Sequence, residues 1–332
     1  MNLSVKEIIN KALDGGEINA DELEKLFAVD YLSEESFLIQ HAGRQMSVKA
    51  SHGKAEIHGQ VGINSGACPK DCEFCSFASV NKVFTKSAEL PLDEVITRAV
   101  DMEQAGANAV YLLSTAMYKF DDFVRVGREV KKALKAQTPL IANVGDFDDA
   151  QAKTLKDVGF TGIYHAIRLG EGIQTKIDPQ LRWKTVNAAM EAGLIIGTCL
   201  EPVGAEHSLK EMAEKTLFGR KMNPAFSGSA RRVPIPNTSL AKHGSINYAK
   251  MALYIAAVRL AMGYSVVGNC THEPNGIGAM AGANIMWAES GSNPRDTVEN
   301  TVRTGSVDSI AEILTEAGWE ILSGPSVMFA QR

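Results

Sequence analysis

Ala55-Glu-Ile-His-Gly-Gln-Val-Gly-Ile63-Asn-Ser-Gly-Ala-Cys68-Pro-Lys-Asp-Cys72-Glu-Phe74-Cys75 runs from a β-branched stretch straight into a loop that carries three of the chain's five cysteines. The thiols are spaced C-x3-C-x2-C, with Lys70, Asp71 and Glu73 between them. Charged neighbours argue against a hydrophobic-core role, and thiols this crowded are reactive. Zinc sites and complete iron–sulfur cubes normally take four protein ligands. Three thiolates on one tight loop can hold three corners of a [4Fe–4S] cube and leave the fourth iron open to a small molecule. The other readings are a zinc loop with its fourth ligand elsewhere, and three unconnected thiols.

Outward from this loop the chain has a regular rhythm. Eight short runs read as strands: Ala55–Ile63, Asn108–Ser114, Pro139–Val144, Gly162–Ile167, Leu194–Pro202, Ser229–Ile235, Tyr264–Cys270 and Asn284–Glu289. Helical patterns lie between them, including Leu92–Gly106, Asp122–Ala136, Asp148–Val158, Arg182–Gly193, Ser208–Met222 and Asn247–Met262. Gly106, Gly193 and Gly263 each close a helix before the next strand. Eight strands alternating with helices predict an α/β chain folded as a (β/α)8 TIM-type barrel with function at the strand C-termini. The doubly wound alternative lacks a glycine-rich dinucleotide fingerprint after an early strand. Residues 1–50 predict a helical extension, since Ser4 and Asn19 open capped, acidic first turns and Gly15-Gly16 separates them. The barrel then occupies 51–332.

The totals narrow the class. The 332 residues suffice for one such barrel, and 45% hydrophobic with 22% charged residues fit a soluble globular enzyme. A net charge of −5 gives no reason to expect nucleic acid or an anionic membrane as partner. No cationic-then-apolar leader and no spanning apolar run is visible. An odd cysteine count with three clustered argues against a disulfide framework, so a reducing, cytoplasmic location is expected.

The loop resembles the signature of the radical S-adenosylmethionine (SAM) enzymes, C-x3-C-x-aromatic-C, with Phe74 in the aromatic slot. Gly66-Ala-Cys-Pro-Lys-Asp-Cys72 is similar to the corresponding stretch of biotin synthase. Ala281-Gly-Ala-Asn284 and Val233-Pro-Ile-Pro-Asn-Thr-Ser-Leu240 resemble the C-terminal module of that group, about 230–325, which also includes hydrogenase-maturation and methylornithine-synthase enzymes. The resemblance implies that Cys68, Cys72 and Cys75 hold a [4Fe–4S] cluster whose open iron chelates SAM. It further implies SAM contacts from Phe74, from Ser114 and Thr115 after the second strand, and from Arg168, Glu171 and Arg182 around the fourth. A guanidinium suits the SAM carboxylate and a carboxylate suits ribose hydroxyls. Taken alone, each charged residue here reads equally as a surface ion pair, and Ser114 and Thr115 as strand caps. The group's usual Gly-Gly-Glu element is absent. A reductant such as flavodoxin or ferredoxin, a small-molecule substrate and a monomer or homodimer are also implied.

The resemblance breaks at sulfur. Two cysteines that hold the second cluster of biotin synthase correspond to Leu113 and Ile141, and Cys199 alone coincides. Cys199 and Cys270 nevertheless fall near strand C-termini, the latter within Asn269-Cys-Thr-His272-Glu273. Three readings stand: an auxiliary iron–sulfur centre or persulfide on Cys199, Cys270 and His272; Cys270 as a hydrogen donor; or buried free thiols. His272 and Glu273 suit substrate binding or proton transfer. His165 and Glu201 point at the same mouth. His41, His52, His58, His207 and His243 read as surface or packing, and Trp183, Trp287 and Trp319 as core. The expected activity is reductive SAM cleavage followed by hydrogen abstraction from a small molecule, in a rearrangement or fragmentation serving cofactor assembly. The alternative is sulfur insertion fed from Cys199 and Cys270.

Overall fold

A computed structural model describes residues 3–298 and 305–330. Eight parallel strands are present: β1 (Lys54–Gly62), β2 (Ala109–Leu113), β3 (Leu140–Asn143), β4 (Gly162–Tyr164), β5 (Ile195–Gly197), β6 (Phe226–Arg231), β7 (Gly268–Cys270) and β8 (Ile285–Gly291). Each pairs with the next, and β1 pairs with both β2, at His58↔Ala109, and β8, at Glu56↔Ile285. The sheet therefore closes on itself as the expected α/β barrel.

The period-2 alternation of strands sorts their side chains into two layers. In β2, Val110 and Leu112 face outward into a cluster with Phe123, Leu155 and Phe160, while Ala109 and Tyr111 face inward. In β8, Ile285 and Trp287 face inward, and Met286 and Ala288 outward. The chain then supplies helices α1 (Val5–Leu13), α2 (Ala20–Phe27), α3 (Glu34–Ser51), α4 (Leu92–Gln104), α5 (Phe120–Ala133), α6 (Asp149–Val158), α7 (Pro179–Glu191), α8 (Leu209–Arg220) and α9 (Tyr248–Met262), followed by α10 (Gly276–Met280) and α11 (Val307–Glu316). Ser4 and Asn19 cap α1 and α2 as their sequences predict, each in a reciprocal capping box.

Helix α9 is buried on nearly every side because it lies between barrel and extension. Leu23, Phe27, Ile39 and Met46 of the N-terminal helices share one core with Met212 of α8 and Leu253, Tyr254 and Ala257 of α9. Phe27 meets Tyr254 edge-on, with ring centroids 5.3 Å apart.

At the strand N-termini the barrel is sealed by the chain's own tail. Glu320–Ile321 adds to β1, and Met328 and Phe329 then pack inside the ring against Tyr111, Phe226 and Trp287. The buried Glu56 carboxylate accepts hydrogen bonds from the Val327 and Met328 amides at 2.9 and 3.2 Å.

Several strand boundaries differ from the sequence expectation: the fourth strand ends at Tyr164 instead of Ile167, the seventh begins at Gly268 instead of Tyr264, and the fifth and sixth change more. The sixth strand begins at Phe226 rather than Ser229 and ends at Arg231, because Pro234 and Pro236 lack the amide a ladder requires. The fifth run divides: β5 ends at Gly197, and Leu200–Val203 pairs with β6 through an irregular register. Positions 299–304 of the expected C-terminal module lie outside the described residues. No helix among the described residues is long and apolar enough to cross a membrane.

Candidate active site

The cysteine loop leaves β1 at the strand C-termini and is held in place from several sides. The Cys68 amide donates to the Phe77 carbonyl at 2.6 Å, and the Ser79 amide to the Cys68 carbonyl at 3.0 Å. Asn81 Nδ2 donates to the carbonyls of Glu73 and Cys75, both at 2.8 Å. Asp71 sits in the left-handed region, φ 45°, where its side chain accepts from the Val80 amide and pairs with Lys176 at 2.6 Å. The loop after β4 adds backbone bonds from Glu73 to Gln174 and from Lys176 to Lys70, and the Ser76 amide donates to the Pro294 carbonyl beyond β8. The loop is thus fixed against both walls of the mouth.

Beneath it lies a cavity of about 160 Å³, lined by all three loop cysteines and by Phe74. Its floor is a network of partly buried charges. Glu201 bridges Arg168 Nε at 3.2 Å and His272 Nδ1 at 3.0 Å. On one flank Arg295 binds Glu289 at 2.6 Å and Glu273 at 3.0 Å. On the other, Asp146 accepts from Arg182 at 3.3 Å, from His165 at 3.2 Å and from Thr185 at 3.1 Å. Burial disfavours the carboxylates of Glu201 and Asp146, but their cationic neighbours outweigh it and hold both at about 2. Opposed charges fixed under a thiol roof suit a small polar zwitterion.

Known proteins give this arrangement its context. No family model matches the chain. The biotin synthase of Salinispora tropica is 24% identical over 215 residues, covering 63% of this chain and 65% of that protein. The biotin synthase of Clostridioides difficile is 24% identical over 251 residues, covering 72% of this chain and 76% of its own length. In structure the chain is similar to the FeFe-hydrogenase maturase HydG of Carboxydothermus hydrogenoformans, with a TM-score of 0.80, 19% identity, and coverage of 99% of this chain and 81% of that one. It is also similar to methylornithine synthase (PylB), with a TM-score of 0.75, 16% identity, and coverage of 97% and 98%. Likeness at such low identity speaks to the fold; the cysteine loop and the sequence relatives speak to the family. In its cysteine loop and in these sequence relatives the chain is similar to the radical SAM enzymes of the biotin synthase group.

The cofactors of radical SAM enzymes of this group are a [4Fe–4S] cluster and SAM, and the loop fits the first. Among the described residues, the one set of three His, Cys, Asp or Glu ligand atoms lying within 4.8 Å of one another is Cys199, Cys270 and His272. Cys68, Cys72 and Cys75 are therefore spread more widely than the shell of a single tetrahedral ion, in which sulfurs sit about 3.8 Å apart. That spread is compatible with a polynuclear cluster. Burial pushes all three thiols up, Cys72 to about 11, so metal must displace their protons.

The other expected residues divide by position. Phe74, Ser114, Thr115, Arg168 and Arg182 all line the cavity with the cysteines. Thr115 is held by Asn64, whose Nδ2 donates to its Oγ1 at 2.9 Å and whose Oδ1 accepts its amide at 2.9 Å. Arg182 is buried, not part of a surface ion pair. Glu171 turns away from the cavity: it accepts from the Arg168 amide at 3.1 Å and from Thr175 at 3.0 Å, and it approaches Arg182 at 3.6 Å. Glu201 is largely enclosed by its bridge, with its side chain 11% exposed.

Cys199 and Cys270 are both buried, with their Sγ atoms 3.5 Å apart. Burial favours the thiol form of Cys270, but hydrogen bonding with Cys199 and the neighbouring His272 bring it down to about 7. Burial also disfavours the His272 cation, yet Glu201 and Cys270 together lift it to about 9. Trp287, expected as core, packs its ring 4.9 Å from that of His272 and lines the cavity.

Sequence reasoning missed Asp146, Glu289 and Arg295. Asp146 and Glu289 follow or end apolar runs at strand C-termini, which was the available signal. Arg295 sits in a loop beyond β8 with no periodicity around it.

Proposed function

We propose that this chain reductively cleaves SAM beneath the cysteine loop and uses the resulting radical to abstract hydrogen from a small polar molecule held on the charged floor. A rearrangement or fragmentation in cofactor biosynthesis follows. The observation that carries this reading is the enclosure of one cavity by Cys68, Cys72 and Cys75 above and Arg168, Glu201 and Arg182 below. When bound, the cluster supplies one electron to the SAM sulfonium, giving methionine and a 5′-deoxyadenosyl radical.

The chain's residues do the holding. Phe74 presents its backbone to the adenine. Ser114 and Thr115 meet the methionine part of SAM, and Arg168 and Arg182 take its carboxylate. Glu171 keeps Arg182 in place from behind. His272 and Glu273, on the opposite flank, bind substrate or move its proton, and Cys270 lies close enough to His272 to join them. A barrel closed at its base excludes water from the radical. Residues 1–50 act as a helical brace on a barrel of 51–332, and a one-electron donor such as flavodoxin or ferredoxin docks near the loop.

Anaerobically reconstituted protein given dithionite and SAM is expected to release 5′-deoxyadenosine and methionine. Absence of both, with about four irons bound per chain, overturns the reading. The adjacency of Cys199 and Cys270 favours a second reading, sulfur insertion into an alkyl chain. It requires iron and sulfide clearly above four of each, or a persulfide on one of the two thiols.

A further inference from the structure

The two groups of sulfur in this barrel differ in spacing, and the compact one has no role in SAM cleavage. We propose that Cys199, Cys270 and His272 form a second metal centre, which binds a single divalent ion of the zinc or ferrous class and leaves one coordination position open.

Spacing is the first argument. A tetrahedral ion with metal–sulfur bonds of about 2.3 Å sets its two sulfurs about 3.8 Å apart. The Cys199 and Cys270 sulfurs are 3.5 Å apart, and the three ligand atoms all fall within 4.8 Å of one another. Small side-chain rotations close the remaining gap. The backbone is built for this approach: Gly228 of β6 has φ 147°, and a Cβ there would lie 2.2 Å from the Cys270 carbonyl oxygen. Only glycine lets β7 sit so close to β6.

The second argument is His272. Its Nδ1 is engaged by Glu201 at 3.0 Å. Its Nε2 is buried and has no hydrogen-bond partner, although the residue is only 8% exposed. A carboxylate on one imidazole nitrogen, with the other left for an ion, is the usual outer-shell pattern of metal-bound histidine. The imidazole's sulfur neighbours are the Cys199 and Cys270 thiols, all three ligand atoms lying within 4.8 Å of one another.

Donor chemistry selects the ion. Two thiolates and an imidazole suit zinc or ferrous iron and not magnesium or calcium. Loading a divalent ion displaces the two thiol protons, so two positive charges enter as two leave and the buried centre gains no net charge. Three protein ligands instead of four mark a site that keeps a position for water or for a lone-pair donor of the substrate. His272 and Tyr164 both line the cavity, so that position is reached from the substrate side.

The test uses holoprotein carrying its loop cluster, given one equivalent of Zn²⁺ anaerobically and then desalted. One zinc per chain is expected to remain, with cluster iron and acid-labile sulfide unchanged. Zinc-edge X-ray absorption of the wild-type protein should show two sulfurs at about 2.3 Å and nitrogen or oxygen at about 2.0 Å. Cys199→Ala and Cys270→Ala should each lose the zinc and keep the cluster iron. Glu201→Gln should weaken zinc binding roughly 10- to 100-fold. The proposal is overturned by failure to retain zinc, by equal retention in both cysteine variants, by a sulfur-free zinc shell, or by uptake of iron together with extra sulfide. None of these readouts depends on SAM cleavage, so the two proposals fail separately.

Discussion

The barrel buries two histidine–glutamate pairs, one at each end, and they are finished differently. At the sealed end His58 touches Glu56 at 2.8 Å through Nε2 and Tyr111 at 2.9 Å through Nδ1. Glu56 uses its other oxygen on the tail amides. Every strong polar group there has a partner, as a buried network must if it is to stabilise a fold. At the open end His272 has Glu201 on one nitrogen, while its buried Nε2 makes no close hydrogen bond and the Cys199 and Cys270 thiols are its neighbours. Identical chemistry thus serves architecture where it is complete and ligand binding where it is incomplete.

Four substitutions sharpen or break that contrast. The largest effect is expected from Cys72→Ala at the open end, which should abolish both cluster retention and 5′-deoxyadenosine release. The urea stability of the metal-free chain should stay within about 1 kcal/mol of wild type. Phe329→Ala at the sealed end should do the reverse. It removes a fully buried ring from the barrel interior, lowers urea stability by about 3–5 kcal/mol, and leaves iron per folded chain unchanged. Should Phe329→Ala instead impair SAM cleavage at full stability, the division of labour between the ends is wrong.

Arg168→Gln should follow, weakening SAM affinity roughly 10- to 100-fold through loss of a charge-assisted contact of about 1.5–3 kcal/mol. Equilibrium binding to reconstituted protein measures it, and unchanged affinity would remove Arg168 from the SAM site. The smallest effect concerns Glu206, which Arg232 engages through both guanidinium nitrogens, one contact at 3.0 Å. Burial opposes its charge, but Arg232 outweighs this and holds its pKa at about 2, below the ordinary 4.5. A depressed carboxylate contributes its full stability above its unfolded pKa and loses it as pH falls. Between about pH 4.5 and 2, the metal-free Glu206→Gln variant should therefore lose less stability than wild type in urea titrations.

The barrel was legible because each of its strands is a short apolar run bounded by helix signals, and eight such runs admit few closures. The cluster loop was legible because three thiols in one segment need no tertiary information. Strand ends were less so: the break after Gly197 depends on how β6 is paired, which no local pattern reports. The floor was hardest. Arg295, Glu289 and Asp146 meet their partners across the cavity from distant segments, and single charges carry no period. Glu171 shows the converse, since a residue in a motif-like position proves to turn inward and brace its neighbour.

The seal at the barrel base links the first strand to amides 271 positions later in the chain. At ribosomal speeds of about 5–20 residues per second, that interval is roughly 15–50 s. Throughout it the nascent barrel holds the Glu56 acid without its amide donors and an uncorked hydrophobic bore. Insertion of this stopper therefore comes long after the first strand is made, and a growing chain interrupted shortly before Val327 should expose the bore.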